Sequence, residues 1–155
     1  MNIYIDTTNL YHTARKRYNG QLDYEALLSV LKERYEICSL HWYVSRCGKK
    51  ADSFIECLRH ISEGIKSFFT IKEPHPLQMN GREVLTNNFN VELTVDVLLA
   101  DAPVIICSSN YDLLPLLEQL HDPIIYAVNI PKVFRTVATC YELEESYING
   151  VTAAI

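Results

Sequence analysis

Residues 104–117 combine a strand pattern and a helix pattern, joined by a polar turn. Residues 104–107 form a continuous apolar run, typical of a strand covered on both faces. Turn and N-cap residues follow, and then leucines at helical spacing, with Pro115 in the first turn. In an open α/β sheet this junction lies at the carboxyl ends of the strands, where such folds bind ligands. The stretch therefore predicts an α/β fold with a candidate site at the turn that carries Asp112.

The rest of the chain alternates between strand and helix patterns. Strands are predicted at 2–6, 37–45, 67–72 and 124–128, and helices at 7–18, 23–35, 53–65, 111–121 and 131–138. Residues 73–88 contain two prolines and little periodicity, which predicts a loop or a weak hairpin. The alternation favours a single domain over residues 1–155, a three-layer α/β/α architecture with a mainly parallel central sheet.

Several residues are predicted to begin or to stabilise these helices. Thr7 and Thr8 can cap the first helix, and Asp23 begins the second. Ser53 and Glu56 have the spacing of a capping box. Asn88 or Asn90 can cap a further helix, and the apolar residues it carries are Val91, Val95, Leu98 and Leu99.

Composition excludes several classes of protein. Hydrophobic residues make up 48% of the chain, so it is not disordered by composition, yet no apolar run approaches the roughly 20 residues of a membrane span. The start has no signal-peptide organisation. Five scattered cysteines without a Cys-x-x-Cys pair indicate a reduced, cytoplasmic protein with no structural zinc. The net charge of −5 means that a nucleic acid would have to meet local basic patches or bound cations.

Three acids occupy positions where this architecture would gather them. Asp6 ends the first strand, Asp112 follows the strand at 104–107, and Asp96 lies on the helix before that strand. A doubly wound sheet places the first strand beside the one at 104–107, which would bring Asp6 and Asp112 to one edge. Carboxylates suit Mg²⁺ or Mn²⁺, which would lower the pKa of a bound water and neutralise a scissile phosphate. In the simpler interpretation, Asp6 is a turn residue at the end of a strand, Asp112 is an acid in the first turn of a helix, and Asp96 is a solvated helix residue.

Three motifs in register resemble those of the NYN domain, a PIN-like nuclease family. Ile5-Asp6-Thr-Thr-Asn9-Leu10 is similar to the family's opening Ile-Asp-Gly-x-Asn-Leu. Residues 87–96 and 108–116 are similar to its Lys-Gly-x-Asp-x-x-Leu-x-x-Asp and Ser-Gly-Asp-x-Asp-Phe-x-Pro-Leu segments. The resemblance covers residues 3 to about 140. It implies a PIN-like, Rossmann-like fold and metal-dependent RNA cleavage at an acidic pocket.

The resemblance also implies roles for individual residues. Asp6, Asp96 and Asp112 match family acids and would hold the Mg²⁺ or Mn²⁺, with Asn9 and Asn110 assisting catalysis. Asn90 and Asn110 stand where the family usually has aspartate, and Thr7 and Ser109 stand where it has glycine. An amide oxygen can bind a metal but brings no charge, so these changes should weaken metal affinity. Glu92, one turn before Asp96, is either a replacement acid or, more simply, a solvated glutamate.

Two basic clusters and one tyrosine are the candidate RNA contacts. The clusters follow the first helix and the second strand, and could form a phosphate track for single-stranded or structured RNA; they are Arg15, Lys16, Arg17, Arg46, Lys49 and Lys50. Tyr111, in the turn itself, could stack an unpaired base, whereas Tyr11 is expected to pack in the core. The simpler interpretation of the clusters is a helix C-terminus and a solvated turn.

Three functions are compatible with these residues. The first is a metal-dependent endoribonuclease, and the second is a binding or scaffolding protein that kept the fold and lost the reaction. A third is a phosphatase, because Asp6-Thr-Thr is similar to the start of haloacid-dehalogenase enzymes. Those enzymes need a second acid where this chain has Thr8. Residues 73–88 could close over the site or contribute to a homodimer.

Overall fold

The computed structural model describes residues 1–150, apart from the side chains of residues 85 and 86, so the last five residues of the predicted domain lie outside it. Its strands are β1 (Asn2–Asp6), β2 (Gln21–Leu22), β3 (Ser39–Ser45), β4 (Ser67–Lys72), β5 (His75–Met79), β6 (Arg82–Thr86), β7 (Val104–Cys107), β8 (Ile124–Ala127), β9 (Thr139–Glu142) and β10 (Ile148–Asn149). Its α-helices are α1 (Thr7–Tyr18), α2 (Tyr24–Arg34), α3 (Ala51–Ile61), α4 (Asn90–Leu98) and α5 (Leu114–Leu117). Three 3₁₀ segments lie at Tyr111–Leu113, Lys132–Thr136 and Glu145–Tyr147.

Six strands form one central sheet in the order β4-β3-β1-β7-β8-β9. Every pair in it is parallel, which confirms the predicted α/β class with a mainly parallel sheet. β1 lies between β3 and β7, as predicted for the first strand and the strand at 104–107. The carboxyl ends of β1 and β7 are therefore side by side, and the residues that follow them share one edge.

Helices cover both faces of the sheet because the strand residues are apolar on both sides. On one face, Trp42 of β3 packs edge-on against Tyr24 of α2 and donates its indole N–H to Ser62, which follows α3. Its neighbour Tyr43 points the other way and packs against Phe89 at the start of α4. Cys107 at the end of β7 is fully buried and belongs to the apolar core. No helix in residues 1–150 is long and apolar enough to cross a membrane.

Local signals explain most of the element boundaries. The Asp23 side chain accepts a hydrogen bond from the backbone N–H of Ala26, so it caps α2 as predicted. Asn19 ends α1 with a left-handed φ of 51°. Pro115 lies in the first turn of α5, where no helical hydrogen bond is lost. Residues 73–88 form the predicted hairpin, in which β5 pairs antiparallel with β6.

Three predicted helix caps are wrong. The cap of α1 is Asp6, whose side chain accepts from the Asn9 N–H, because the Thr7 hydroxyl instead donates to the Tyr43 carbonyl. Helix α3 begins at Ala51, before Ser53, and has no side-chain cap. Helix α4 follows the buried Phe89, also without a side-chain cap, although the Asn88 side chain accepts weakly from the Asn90 N–H.

Two predicted helices are much shorter in the structure. The segment at 111–121 contains a 3₁₀ turn and then only α5, because the chain must turn at Asp122, whose φ is 48°, to enter β8 after Pro123. The segment at 131–138 is a 3₁₀ turn, Lys132–Thr136, in a stretch rich in β-branched residues that disfavour a regular helix.

Apolar periodicity also predicts the wrong side chains to be buried in two helices. The α4 residues that predict this helix, Val91, Val95, Leu98 and Leu99, are exposed, and its buried residues are Leu93 and Val97. Tyr11 on α1 is 43% exposed, so its predicted core position is wrong.

Candidate functional site

Asp6 is the buried acid of the candidate site. It ends β1 and caps α1, and only 3% of the residue is exposed. One carboxylate oxygen accepts from the Asn9 N–H at 3.1 Å, and the other accepts from the Ser108 hydroxyl at 3.4 Å. Burial raises the pKa of Asp6, and these two hydrogen bonds oppose the rise only in part. A carboxyl group perturbed by burial at the ligand-binding edge of an α/β sheet is a candidate functional group.

Asn9 joins the first helix to the turn after β7. Its side-chain oxygen accepts from the Ser109 backbone N–H at 2.9 Å and from the Ser109 hydroxyl at 3.2 Å. The amide therefore positions the turn, and its oxygen is already engaged by protein donors. Sequence reasoning missed Ser109 as a site residue, although its replacement of the family's glycine was a signal, since only a side chain can supply the second donor.

Asn110 joins the same turn to α4. Its side-chain oxygen accepts from the Asp112 N–H at 3.1 Å, and its backbone N–H donates to the Ser108 hydroxyl at 3.3 Å. Because the oxygen is occupied, the amide nitrogen faces away and donates to the side-chain oxygen of Asn90 at 3.1 Å. The two asparagines at usual aspartate positions thus bond directly to each other.

The remaining predicted acids lie in different surroundings. Asp112 is exposed on the 3₁₀ turn beside Asn110. Asp96 accepts a 2.6 Å hydrogen bond from the Tyr43 hydroxyl, and burial together with this bond raises the pKa of Tyr43. Asp96 also lines a groove of about 500 Å³ with Asn2 and Ser39, which begin β1 and β3. One hydrogen-bond network includes Asp6, Asn9 and the turn after β7, and it extends to Asp112 and Asn90. Asp96 is outside this network, because its partner is Tyr43.

Glu92 is paired with a lysine. Lys72, at the end of β4, contacts a Glu92 carboxylate oxygen at 2.6 Å and donates to the Asn88 carbonyl at 2.9 Å. Burial alone would raise the pKa of Glu92, but the bond from Lys72 lowers it overall. The glutamate is therefore half-buried in an ion pair, and its charge is already compensated.

The site residues are not arranged as a group of acids around one point. Among the described residues, no three His, Cys, Asp or Glu side chains are grouped closely enough to hold a metal. Both Asp6 oxygens and the side-chain oxygens of Asn9 and Asn110 accept hydrogen bonds from the protein. A hard cation needs such oxygens to converge on one point with negative charge around it.

The predicted basic clusters divide into groups with different partners. Lys49 and Lys50 are exposed after β3 and make no ion pair within residues 1–150, whereas Arg46 pairs with Asp52 at 3.3 Å. Arg17 donates to the Asn129 side chain beyond β8, and Arg15 lines a separate hollow of about 230 Å³ with Gly20. Lys16 is exposed on the last turn of α1.

The predicted stacking residue is accessible. Tyr111 is 61% exposed and directly follows Asn110, so an aromatic face lies beside the network around Asp6. Tyr11, also exposed on α1, is a second aromatic surface that the sequence reasoning assigned to the core.

Comparison with known proteins agrees with this architecture. The NYN domain family matches residues 1–141. A crystal structure of a protein of unknown function from Vibrio parahaemolyticus superposes with a TM-score of 0.78, covering 95% of this chain and 94% of that one at 21% identity. At that identity the similarity shows the fold alone, a PIN-like one. No curated protein matches. NYN domains form a nuclease-like family, generally metal-dependent and associated with nucleic acids. With 141 of its residues matched, the chain belongs to the NYN domain family.

Proposed function

We propose that this chain binds RNA at the carboxyl edge of its sheet and no longer supports efficient metal-dependent cleavage. The observation that carries the proposal is the hydrogen bond between Asn110 and Asn90. It connects the two positions at which this chain differs from the family's usual aspartates. In this proposal the edge of the sheet keeps its ability to bind RNA. Cleavage is lost, because it would need the carboxylates that the two asparagines replace.

The amide pair removes the electrostatic reason for holding a cation. Two carboxylates about 3 Å apart would repel each other by roughly 5 kcal/mol at an effective dielectric constant of about 20, and a divalent cation would relieve that repulsion. Two amides satisfy each other with a donor and an acceptor and need no ion. Asp6 then remains as a single buried carboxyl group whose oxygens are hydrogen-bonded to Asn9 and Ser108.

The same edge retains groups that suit an RNA chain. Lys49 and Lys50 offer two exposed cations, and Tyr111 offers an exposed ring beside the turn after β7. Lysines contribute salt-dependent contacts to phosphates, and a tyrosine ring stacks on an unpaired base without reading its sequence. Because the chain as a whole carries a net charge of −5, the affinity must come from these local groups.

Binding can be measured by the fluorescence anisotropy of a labelled single-stranded RNA. Lys49→Ala with Lys50→Ala should weaken binding about tenfold and make the salt dependence shallower, since each lost phosphate contact lowers the slope by about 0.7. Tyr111→Ala should weaken binding with little change of slope, because stacking contributes about 1–3 kcal/mol per base.

The matched control is Lys32→Ala on the last turn of α2. That helix leads to Glu36, whose carbonyl accepts from the Met1 amino group at the opposite edge of the sheet. If Lys32→Ala weakens binding as much as the Lys49 and Lys50 changes do, or if RNA does not bind, the assigned surface is wrong.

Cleavage is tested separately on denaturing gels with Mn²⁺. Wild type is expected to leave single-stranded and structured RNA intact under conditions where Asn90→Asp with Asn110→Asp cuts. The proposal is overturned if wild type cuts and Asp6→Asn abolishes the cutting.

A metal-dependent endoribonuclease is the second candidate. It is favoured by Asp6, which accepts from Ser108 of the turn after β7, and by Asp112, which follows that turn; both match family acids. That candidate requires Asp6 and Asp96 to leave their present hydrogen bonds and to converge with Asp112 on Mg²⁺ or Mn²⁺, with Asn9 and Asn110 assisting. Calorimetric titration of wild type with Mn²⁺ separates the candidates, because binding that disappears in Asp6→Asn supports the enzyme.

A further inference from the structure

Both ends of helix α1 lie at the carboxyl edge of the sheet. The helix begins directly after Asp6, the last residue of β1, and Asn9 in its first turn accepts from the backbone of Ser109 after β7. In the last turn, Arg17 donates at 3.0 Å to the side chain of Asn129, two residues after the end of β8. A helix that connects two parallel strands usually runs back toward their amino ends, because the next strand begins there. Helix α1 instead follows the carboxyl edge from β1 toward β8, over a length of about 18 Å.

The exposed side of this helix carries cations and aromatic rings but no acid. Residues 7–18 contain neither aspartate nor glutamate, although the whole chain has 19 acidic and 14 basic side chains. Tyr11, His12, Arg15 and Lys16 are exposed side by side at helical spacing, and we call them the α1 face. Within residues 1–150 Arg15 and Lys16 make no ion pair. Their charges are therefore available to an anionic partner.

Two acids of this edge are occupied by donors of the chain itself. Asp6 is buried with both oxygens hydrogen-bonded. Glu142 accepts from two backbone N–H groups of the loop after β8 and pairs with Arg135 at 3.6 Å. Asp112 is exposed in the turn after β7 and would repel a phosphate, so the contact expected at that turn is a base on the neighbouring Tyr111. The phosphates are expected on either side of that turn.

Exposed rings lie on both elements that meet at Asn9. Tyr11 of the α1 face is 43% exposed, and its ring contacts that of His12 edge-on with the centroids 5.3 Å apart. Tyr111, in the turn to which Asn9 is bonded, is 61% exposed. A tyrosine ring stacks on the face of a base, and in a duplex those faces are covered by the neighbouring base pairs. Two exposed rings on one edge therefore suit a strand whose bases are unpaired.

We propose that the α1 face extends the RNA site, so that the ligand is a single-stranded RNA segment reaching from the lysine pair after β3, past Tyr111, to the α1 face. This inference rests on the proposed function, because it needs RNA at the carboxyl edge. Arg15 and Lys16 contact phosphates, and Tyr11 stacks on an unpaired base. A strand long enough to contact both groups of cations gains affinity, because its second contact forms within the same complex.

Fluorescence anisotropy with unstructured RNAs of about 4 to 16 nucleotides, the usual range of site sizes for such surfaces, tests the proposal. For wild type, affinity should rise with length and then level off. Arg15→Ala with Lys16→Ala should weaken binding of the longest RNA about tenfold and lower its salt slope by about 1.4, which corresponds to two phosphate contacts at about 0.7 each. Binding of the shortest RNA should change less than about twofold, because the lysine pair and Tyr111 hold it.

Lys32→Ala with Lys66→Ala is the matched control. It removes the same charge from two exposed positions at the opposite edge, the last turn of α2 and the residue before β4. Screening by salt should limit its effect on the longest RNA to less than about twofold. Equal weakening by the two pairs would mean that only the net charge of the chain matters, and the proposal would be wrong.

The stacking contact and the single-stranded ligand are tested with the same RNA. Tyr11→Ala should weaken binding of the longest RNA about tenfold, whereas Tyr11→Phe should bind like wild type, because stacking needs the ring and not the hydroxyl. A duplex of the same sequence should bind at least about tenfold more weakly than the single strand. A duplex that binds as tightly, or Tyr11→Ala that binds like wild type, would overturn the proposal.

The length series also separates this inference from the proposed function. If wild type binds no RNA of any length, the proposed function fails and the inference fails with it. If the longest RNA binds in a way that depends on Lys49 and Lys50 but not on Arg15 and Lys16, the proposed function stands and the extension to the α1 face is wrong.

Discussion

The side-chain amide of Asn110 donates to the side-chain oxygen of Asn90 across 3.1 Å, joining the turn after β7 to the first residue of α4. The orientation of the donor is set because the Asn110 oxygen accepts from the Asp112 N–H. This bond fastens two elements together without a charge. Its replacement by carboxylates should therefore have consequences for stability as well as for metal binding.

Asn90→Asp with Asn110→Asp should lower the melting temperature by several degrees in a chelator, because two like charges replace a hydrogen bond. Mn²⁺ should reverse the loss, by about 2.7 kcal/mol at a hundredfold excess over Kd. The single variant Asn90→Asp is the control, since the Asn110 amide can still donate to a carboxylate. Thermal melts with and without Mn²⁺ check this, and equal responses in wild type and the double variant would contradict it.

Asp6→Asn should stabilise the fold at neutral pH by about 1 kcal/mol, since it removes a buried charge while its amide oxygen can still accept from the Asn9 N–H. Burial raises the folded-state pKa of Asp6 above the 3.8 of an ordinary aspartate. At pH values between these two pKa values wild type therefore takes up a proton on folding. The favourable contribution of Asp6 is fully present below 3.8 and is lost as pH rises through the folded-state pKa. The advantage of the variant should shrink as pH falls. Urea denaturation at several pH values measures it, and a pH-independent difference would refute the assignment.

Tyr43→Phe should cost about 2 kcal/mol of folding stability, because it removes the 2.6 Å hydrogen bond to Asp96 and leaves that carboxylate without its donor. Adding Asp96→Leu to Tyr43→Phe removes both partners and should cost less than the two single changes together. A double-mutant cycle by urea denaturation checks this. Simple additivity would mean that the bond contributes nothing.

Thr8→Val should raise the melting temperature by about 2–4 °C, which corresponds to about 1 kcal/mol for a chain of this length. The Thr8 hydroxyl is buried in the first turn of α1 and has no hydrogen-bond partner among the described residues. Valine keeps its shape and removes the cost of burying an unpaired polar group. Differential scanning calorimetry measures the change, and a lower melting temperature would show that the hydroxyl has a partner in solution.

The amino-acid sequence was sufficient to predict the central sheet and the edge at which the candidate site lies. Apolar runs such as 104–107 predict buried parallel strands because both faces must be covered, and the rules for connecting such strands place β1 beside β7. Asp23 as a cap and Pro115 in a first turn depend on contacts within a few residues, so local chemistry was sufficient to predict them.

Which side chains contact each other and which face water depends on the packing of the whole chain. The bonds from Asn110 to Asn90 and from Tyr43 to Asp96 join residues 20 and 53 positions apart, and no periodicity encodes such pairs. The same contacts explain why apolar spacing predicted the wrong buried residues in α4. A helix can turn its polar groups inward when the chain supplies partners for them. The residues that become buried are those that give the whole chain its lowest free energy. A hydrophobic pattern in the sequence reflects only the hydrophobic contribution to that free energy and not the hydrogen bonds.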